Sequence, residues 1–365
     1  MLKKCIEVME NVYGSFSNEV AYTPKALKSG TQTRYLWTDA FAVCNFLTLF
    51  IETNQDKYLR QAKALIDEVH NVLGKDRQLQ RRLGNASDDH PLLGGLRIGK
   101  KYNEDHEDGD GQYFHYLTKW MFALNRMSLI TGEELYNRWA IEMAESMHDR
   151  FMNRTSPHHL RMYWKISIDG SRPVVRSEGN LDPFDGYVTY KLLRNVHSLF
   201  HPSDKGDVLQ KQIHEMERMV MKKFMNYSSY DPLDLGESLW ISSWFSSEEW
   251  SQHIQKVALE CLEELWTNEN YFDNTSGGRR YRLAFREFGT SLGLQTIPPQ
   301  TDEKWARRVQ SIHEAWQDRI YERDRDITPV MYCSSIVPGV FKPNYCEQYY
   351  RNHFGSKSDI VANNP

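Results

Sequence analysis

A recurring helical hairpin constrains this chain more than any other feature. An apolar helical run is followed by a short polar turn and then by a second, more charged amphipathic run. The second runs open in similar wording: ETNQDKYLRQAKALI at 52–66, ITGEELYNRWAIEMA at 130–144, FSSEEWSQHIQKVAL at 245–259 and PPQTDEKWARRVQSI at 298–312. A weaker copy, HPSDKGDVLQKQIHEM, occupies 201–216. A single hairpin of this kind cannot bury its apolar face and must stack on the next. Hairpins that close on themselves form a ring with a hollow centre, and a site would sit there.

The 3.6-residue periodicity predicts helix pairs over 37–52 and 55–73, 112–130 and 133–153, 184–200 and 204–226, 235–245 and 247–267, and 281–296 and 301–321. Residues 1–20 read as an amphipathic helix that closes or caps the ring. Thr131 with Glu134, and Ser246 with Glu249, have the spacing of capping boxes. The first helix of each pair is more apolar and aromatic, as an inner wall requires, and the second more charged. Loops 74–110 and 155–183 are long and dense in Gly, Asp, His, Arg and Trp, which favours a functional role. Within them HLRMYWKISI at 159–168 reads as a brief strand. Pro329, Pro338 and Pro343 predict an irregular tail over 322–365. The expectation is one domain over 1–365, with a lead-in at 1–34, hairpins at 35–321 and a tail packed on the ring.

Bulk properties remove several function classes. With 45 basic and 49 acidic residues and only short clusters such as Arg81-Arg82 and Lys100-Lys101, nothing points to a nucleic acid or a membrane surface as partner. The five cysteines are far apart and form no CxxC, which argues for a reducing compartment and against a zinc site. Glu7 and Glu10 stand where a signal peptide would be apolar. The longest apolar stretch, FAVCNFLTLFI at 41–51, is too short to cross a membrane. The expectation is a soluble cytoplasmic protein. There is no G-x-S-x-G, P-loop, dinucleotide fingerprint or HExxH, so no cofactor is expected. The 13 histidines, His158-His159 included, suggest no metal centre, and DHEDGDG at 105–111 lacks the final Glu of a calcium loop.

The tandem hairpins, turns worded like TGEELYNRWA and acidic residues opening the inner helices resemble the (α/α)6-toroid superfamily of six-hairpin glycosidases. That group includes unsaturated glucuronyl and rhamnogalacturonyl hydrolases, and the N-acylglucosamine 2-epimerases share the toroid. The resemblance covers about residues 35–321, with no motif diagnostic of a single family. It implies an all-α (α/α)6 barrel, with long loops and a short β-hairpin at one mouth, and a small-molecule or oligosaccharide substrate.

In such a ring the N-termini of the inner helices line one mouth. They carry Trp37 and Asp39; Asp110 through His115; Glu178, Asp182 and Asp185; Asp234, Glu237 and Trp240; and Arg282, Arg286 and Glu287. A single carboxylate at a helix start caps backbone N–H groups and complements the macrodipole. Capping needs only one of Glu178, Asp182 and Asp185. Glycoside hydrolysis needs one protonated carboxyl and one ionised carboxylate, and the candidates are Asp39, Asp110, Asp182 and Asp185. Asp110 is the preferred acid and Asp182 or Asp185 the base, with His115 facing the same pocket as Asp110. His90 and Arg97 flank Gly94-Gly95, where Arg97 would clamp a carboxylate or simply sit at a tight turn. Arg282 and Arg286 share a helix face beside Glu287 and would suit an acidic sugar or neutralise facing carboxylates. Trp164 with Lys165, and Trp240 with Trp244, serve as sugar platforms or as core.

The leading expectation is therefore a glycoside hydrolase with a carboxylate pair in a central funnel. The alternatives are a sugar epimerase or isomerase moving a proton with histidines such as His90 and His115, a cyclase or lyase acting on an apolar substrate, and a non-catalytic helical-repeat binder. Hydrolysis predicts two carboxylates across a polar pocket, epimerisation two histidines, and a cyclase an aromatic pocket with one acid.

Overall fold

The inner wall of the ring is built from helices that are apolar around most of their circumference. In α2 (Leu36–Thr53) every residue from Leu36 to Phe50 is buried, and in α4 (Phe114–Thr131) every residue from Leu117 to Ile130. The other inner helices are α6 (Asp182–Phe200), α8 (Pro232–Ser243), α10 (Ala284–Thr296) and α12 (Ile327–Ile336). They neighbour one another in that order, and α12 returns to α2. Each is backed by a helix with a single apolar stripe: α1 (Leu2–Tyr13) behind α12, then α3 (Asp56–Val72), α5 (Glu134–Phe151), α7 (Gln210–Lys223), α9 (Glu249–Thr267) and α11 (Lys304–Trp316). The amphipathic α3, for example, buries Tyr58, Ala62, Leu65, Ile66 and Val69 and exposes its other face. A thirteenth helix, α13 (Tyr345–Phe354), packs beneath α4. This computed structural model describes residues 1–17, 21–27, 34–154, 160–204, 207–273, 281–298 and 303–355. His158-His159 lie outside the described residues.

The loops at one mouth contribute five short strands. β1 (Gln112–Tyr113), β4 (Lys165–Ile166) and β5 (Pro173–Val175) make an antiparallel sheet in the order β1-β4-β5, and β2 (Met152–Asn153) pairs with β3 (Arg161–Met162). Gln112 lies opposite Ile166, which fixes loop 99–113 against loop 160–180 directly above the start of α4.

Three expectations are corrected. The tail is not irregular, because it supplies α12 and α13. Pro329 lies in the first turn of α12, where an amide proton has no helical partner, and Pro338 and Pro343 fall between helices. Neither predicted capping box forms. Thr131 Oγ1 accepts from Glu133 N at 3.2 Å, one residue ahead of α5, and donates back to Met127 O within α4, and Ser246 makes no cap bond to α9. Finally, the ring centre is not hollow. A 3₁₀ turn, Gly339–Phe341, enters from the end opposite the loops and places Phe341 between Phe41 (ring centroids 5.2 Å apart, stacked) and Phe122 (6.0 Å). Trp240 Nε1 donates to Phe341 O at 3.0 Å and locks the plug. The space left between Trp37, Lys119, Glu237, Trp240 and Met331 is about 20 Å³, room for about one water molecule.

The inner helices do not meet uniformly. A Cβ on Gly236 of α8 would lie 2.3 Å from Gly289 O of α10, and one on Gly293 would lie 2.0 Å from Gly236 O, so these two backbones approach at a distance only glycine permits. The closing seam between α2 and α12 is polar. Asn45 Nδ2 donates to Val330 O at 3.0 Å, and Ser334 Oγ donates to Asn45 Oδ1 at 2.8 Å. Among the described residues, no helix is long and apolar enough to cross a membrane.

Candidate functional site

Three inner helices begin or pass side by side at the loop-bearing mouth, and their first turns bring together most of the ionisable groups there. α4 contributes His115 and Lys119, one turn apart and so on one face. α6 opens with Asp182, Pro183 and Asp185; the proline suits the first turn, and Asp182 Oδ2 accepts from Gly179 N at 3.0 Å. α8 is capped by Asp231, which accepts from Leu233 N at 2.9 Å, leaving Asp234 and Glu237 for other partners. Capping therefore accounts for Asp231 but not for Asp182, which ties down the preceding loop, nor for Asp185, Asp234 or Glu237.

Lys119 Nζ lies 2.6 Å from Asp185 Oδ1 and also pairs with Glu237. His115 Nδ1 is 3.7 Å from Asp182 Oδ1, and Asn180 Nδ2 donates to Asp234 Oδ2 at 2.8 Å. Lys119, Asp182 and Asp185 are almost wholly buried, whereas Glu237 is 13% and His115 20% exposed. One buried cation is thus surrounded by more carboxyls than it can neutralise, and protons must make up the difference.

The proton distribution follows from burial and neighbours. Burial pushes the Asp182 carboxyl up to about 7, with the Glu237 and Asp234 charges adding to the rise. Burial also raises Asp185 well above the usual carboxylate range, against the pull of Lys119. Burial opposes ionisation of Glu237 too, but the adjoining Lys119 ammonium overcomes it and the net shift is downward. Lys119 is held charged: burial disfavours the ammonium, and Asp185 and Glu237 more than compensate. Glu237 is the more exposed partner of Lys119, so the negative charge resides there and the proton on Asp185. Asp185 Oδ2 has no hydrogen-bond donor among the described residues, and it faces Glu237; a proton on Asp185 satisfies both. Burial pulls His115 down to about 4, so its imidazole is neutral. The mouth therefore holds one carboxyl raised to about 7, Asp182, and one held ionised, Glu237, whose charge Asp182 feels.

An aromatic wall rises beside this cluster. Tyr113 stacks on Trp164 (5.5 Å between centroids, 16° between planes) and on His115 (5.6 Å, 21°). Trp164 is the outermost ring, 38% exposed, while Trp37 lies deeper and meets His115 edge-on at 6.2 Å. Lys165 is buried beneath, donating to Gly109 O at 2.6 Å and lying over the Tyr113 ring.

The remaining sequence candidates lie elsewhere. Asp39 faces the α1–α2 seam, accepting from Tyr13 Oη at 2.8 Å and from Tyr35 N at 3.2 Å beside Arg34. Asp110 is fully buried in the loop, 2.6 Å from Arg97 and within reach of Arg77, and it accepts from the amides of Gly99, Lys100 and Gly111. Arg97 spends its other donors on Val72 O and Lys75 O. Gly94 approaches Leu83 O of the chain itself. His90 is on the outside, 2.9 Å from Glu142. Glu178 accepts from Met162 N at 2.7 Å and pairs with Lys223, tying loop to helix. Glu287 faces outward to Arg282 (2.6 Å) and Trp316 Nε1 (2.8 Å). Arg286 pairs with Asp231 at the rim. Trp244 lies at the opposite end of the ring, under Arg126. Asp105 pairs with Arg172 and Asp108 with Lys100. Sequence reasoning missed Lys119, whose only signal was its four-residue spacing from His115 within the apolar run LTKWMFAL.

No protein-family model matches the chain, and no curated protein matches it. Solved structures do. The fold is similar to the GH76A α-1,6-mannanase from Salegentibacter sp. HEL1_6, with TM-score 0.56 and 11% identity over 92% of this chain and 97% of that one. It is similar to cellobiose 2-epimerase from Spirochaeta thermophila DSM 6192, with TM-score 0.55 and 12% identity over 93% and 97%. It is also similar to a D-mannose isomerase, with TM-score 0.58 and 10% identity over 92% and 96%. A mannanase variant with two consecutive aspartates changed to asparagine is described as inactive and was solved with α-1,6-mannotriose. With six inner helices, six outer ones and this set of structural relatives, the chain is an (α/α)6 toroid.

Proposed function

We propose that this chain is a carbohydrate-active enzyme of the glycoside hydrolase type, acting at the loop-bearing mouth on a neutral sugar. One observation carries the reading: Asp182, a carboxyl raised to about 7 by burial, lies at the same mouth as Glu237 and feels its charge, while Lys119 holds Glu237 ionised. Glycosidic bond cleavage needs that pair of states, with an acid to protonate the leaving oxygen and a base or nucleophile at the sugar carbon. Asp182 is the acid in this reading and Glu237 the base, and Lys119 and Asp185 hold Glu237 in its charged form. Trp164 and Tyr113 supply a flat face for a sugar ring. Because Phe341 fills the lumen, the substrate sits on the mouth rather than in a deep funnel.

One feature favours hydrolysis over epimerisation. Among the described residues, the mouth cluster holds several carboxyls and one histidine, not a histidine pair. A neutral sugar is favoured over a uronate because Arg97, Arg282 and Arg286 are each paired with a carboxylate of the protein, and the cluster is acidic. The five cysteines are all free thiols, which fits a cytoplasmic location.

The test is turnover by Asp182→Asn and Glu237→Gln on a panel of neutral glycosides, α-1,6-linked mannosides included, and of free sugars. Each variant is expected to lose about 10²–10⁴-fold in kcat with its fold intact. Wild-type activity on free sugars alone, with products isomeric to the substrate, would replace hydrolysis with epimerisation.

A further inference from the structure

The end of the ring away from the acidic mouth carries a group of side chains that the proposed chemistry does not use. His197, in the last turn of α6, and His201, which follows that helix, are four residues apart and project together. Their ring centroids are 4.5 Å apart. His201 Nε2 lies 2.6 Å from Glu134 Oε1, in the first turn of α5, and His197 Nε2 lies 3.0 Å from Asp204 Oδ2. One donor atom from each of Glu134, His197 and His201 falls within 4.8 Å of the others. We infer that Glu134, His197 and His201 form a binding site for a divalent transition-metal ion of the zinc class, which clips the start of α5 to the end of α6 and leaves the fourth position to water.

The donor set selects the ion. Two imidazoles with one carboxylate suit zinc, cobalt or nickel, whereas calcium and magnesium take oxygen donors. A tetrahedral ion with bonds of about 2.0–2.2 Å holds its donors about 3.3 Å apart. Glu134 Oε1 and His201 Nε2, now 2.6 Å apart, must open to that value, and the other separations, within 4.8 Å, adjust to it. Side-chain rotation allows this because His201 is 44% and Glu134 34% exposed. Among the described residues, the Glu134 carboxylate meets His201 and no lysine or arginine. A second cluster of similar size, His148, Asp149 and Glu215, lacks this property. Arg154 bridges both of its carboxylates and Lys211 holds Asp149, so an ion there would have to displace two cations. In the sequence, the signal is the H-x-x-x-H of VHSLFHPSD.

The test is a titration of the full chain, stripped with EDTA, with ZnCl2 by calorimetry, alongside thermal melting. The expected result is one zinc per chain with micromolar or tighter affinity and a rise in Tm, with no rise in MgCl2. Bound Co2+ is expected to give the visible absorption of a tetrahedral complex. His197→Ala with His201→Ala is expected to weaken zinc binding by at least about 100-fold, while Asp149→Ala leaves it unchanged. Asp182→Asn is also expected to bind zinc normally, which separates this outcome from the reading of the mouth. Undiminished zinc affinity in the folded double histidine variant, or no stoichiometric binding by the wild type, overturns the inference.

Discussion

Asp182 gives the protein an unusual dependence of stability on pH. Its carboxyl is raised from 3.8 to about 7 in the folded chain, so between those values the folded state keeps a proton that the unfolded state has released. This contribution is fully present below about pH 4 and is lost as pH rises through about 7. His115 acts the other way: burial lowers it from 6.5 to about 4, so its contribution is present above 6.5 and lost as pH falls through 4. Replacing Asp182 with asparagine removes only the first effect. Asp182→Asn is therefore expected to gain on the wild type as pH rises, by on the order of 2 kcal/mol between pH 5 and 8 in urea denaturation. Parallel stability curves would mean that Asp182 is ionised and cannot be the acid. Such a gain, with activity lost, is the usual trade at a functional position. At this scale the sequence was only partly legible. Asp182 and Asp185 stood out, with Glu178, because one helix start holds more acids than capping needs, but they read as bases with Asp110 as the acid, and Glu237 read as a substrate contact. Lys119 did not stand out, because one lysine in an apolar helix reads as its solvent face until the neighbouring helices are placed.

At the level of elements, a buried ion pair holds the loop that leads into the mouth, alongside apolar anchors such as Leu96 and Ile98. Asp110 joins Arg97 to three backbone amides and so fixes the segment 97–111 that leads into α4. Removing that carboxylate strands a fully buried guanidinium. Asp110→Ala is expected to cost about 3–5 kcal/mol in chemical denaturation, and a loss below about 1 kcal/mol would show that the loop is held by other contacts. A glycine-flanked aspartate looks the same in sequence whether it anchors a loop or faces a substrate; the difference lies in Arg97, thirteen residues earlier, folding back onto it. The hairpins were legible because outer helices such as α3 carry one apolar stripe. α12 was not, because a ten-residue helix buried on every side has no stripe, and Pro329 reads as a breaker when only its place in the first turn makes it harmless.

For the whole molecule, the decisive feature is the filled lumen. Phe341 touches three walls of the ring through Phe41, Phe122 and Trp240, and Trp240 in turn lies 4.9 Å beneath Lys119. Phe341→Ala is expected to destabilise the fold by about 3–5 kcal/mol, measured by thermal or urea unfolding, because the surrounding rings cannot collapse into the void. A cost near zero would mean that the plug is dispensable. The ring itself closes late along the chain, where Asn45 meets Val330 and the Cys333 thiol donates to Cys5 O. A ribosome adding about 5–20 residues per second delivers α1 roughly 15–60 s before α12. Until α12 arrives, the greasy flank of α2 that it covers has no mate, and this is the face by which a nascent crescent would stick to its neighbours.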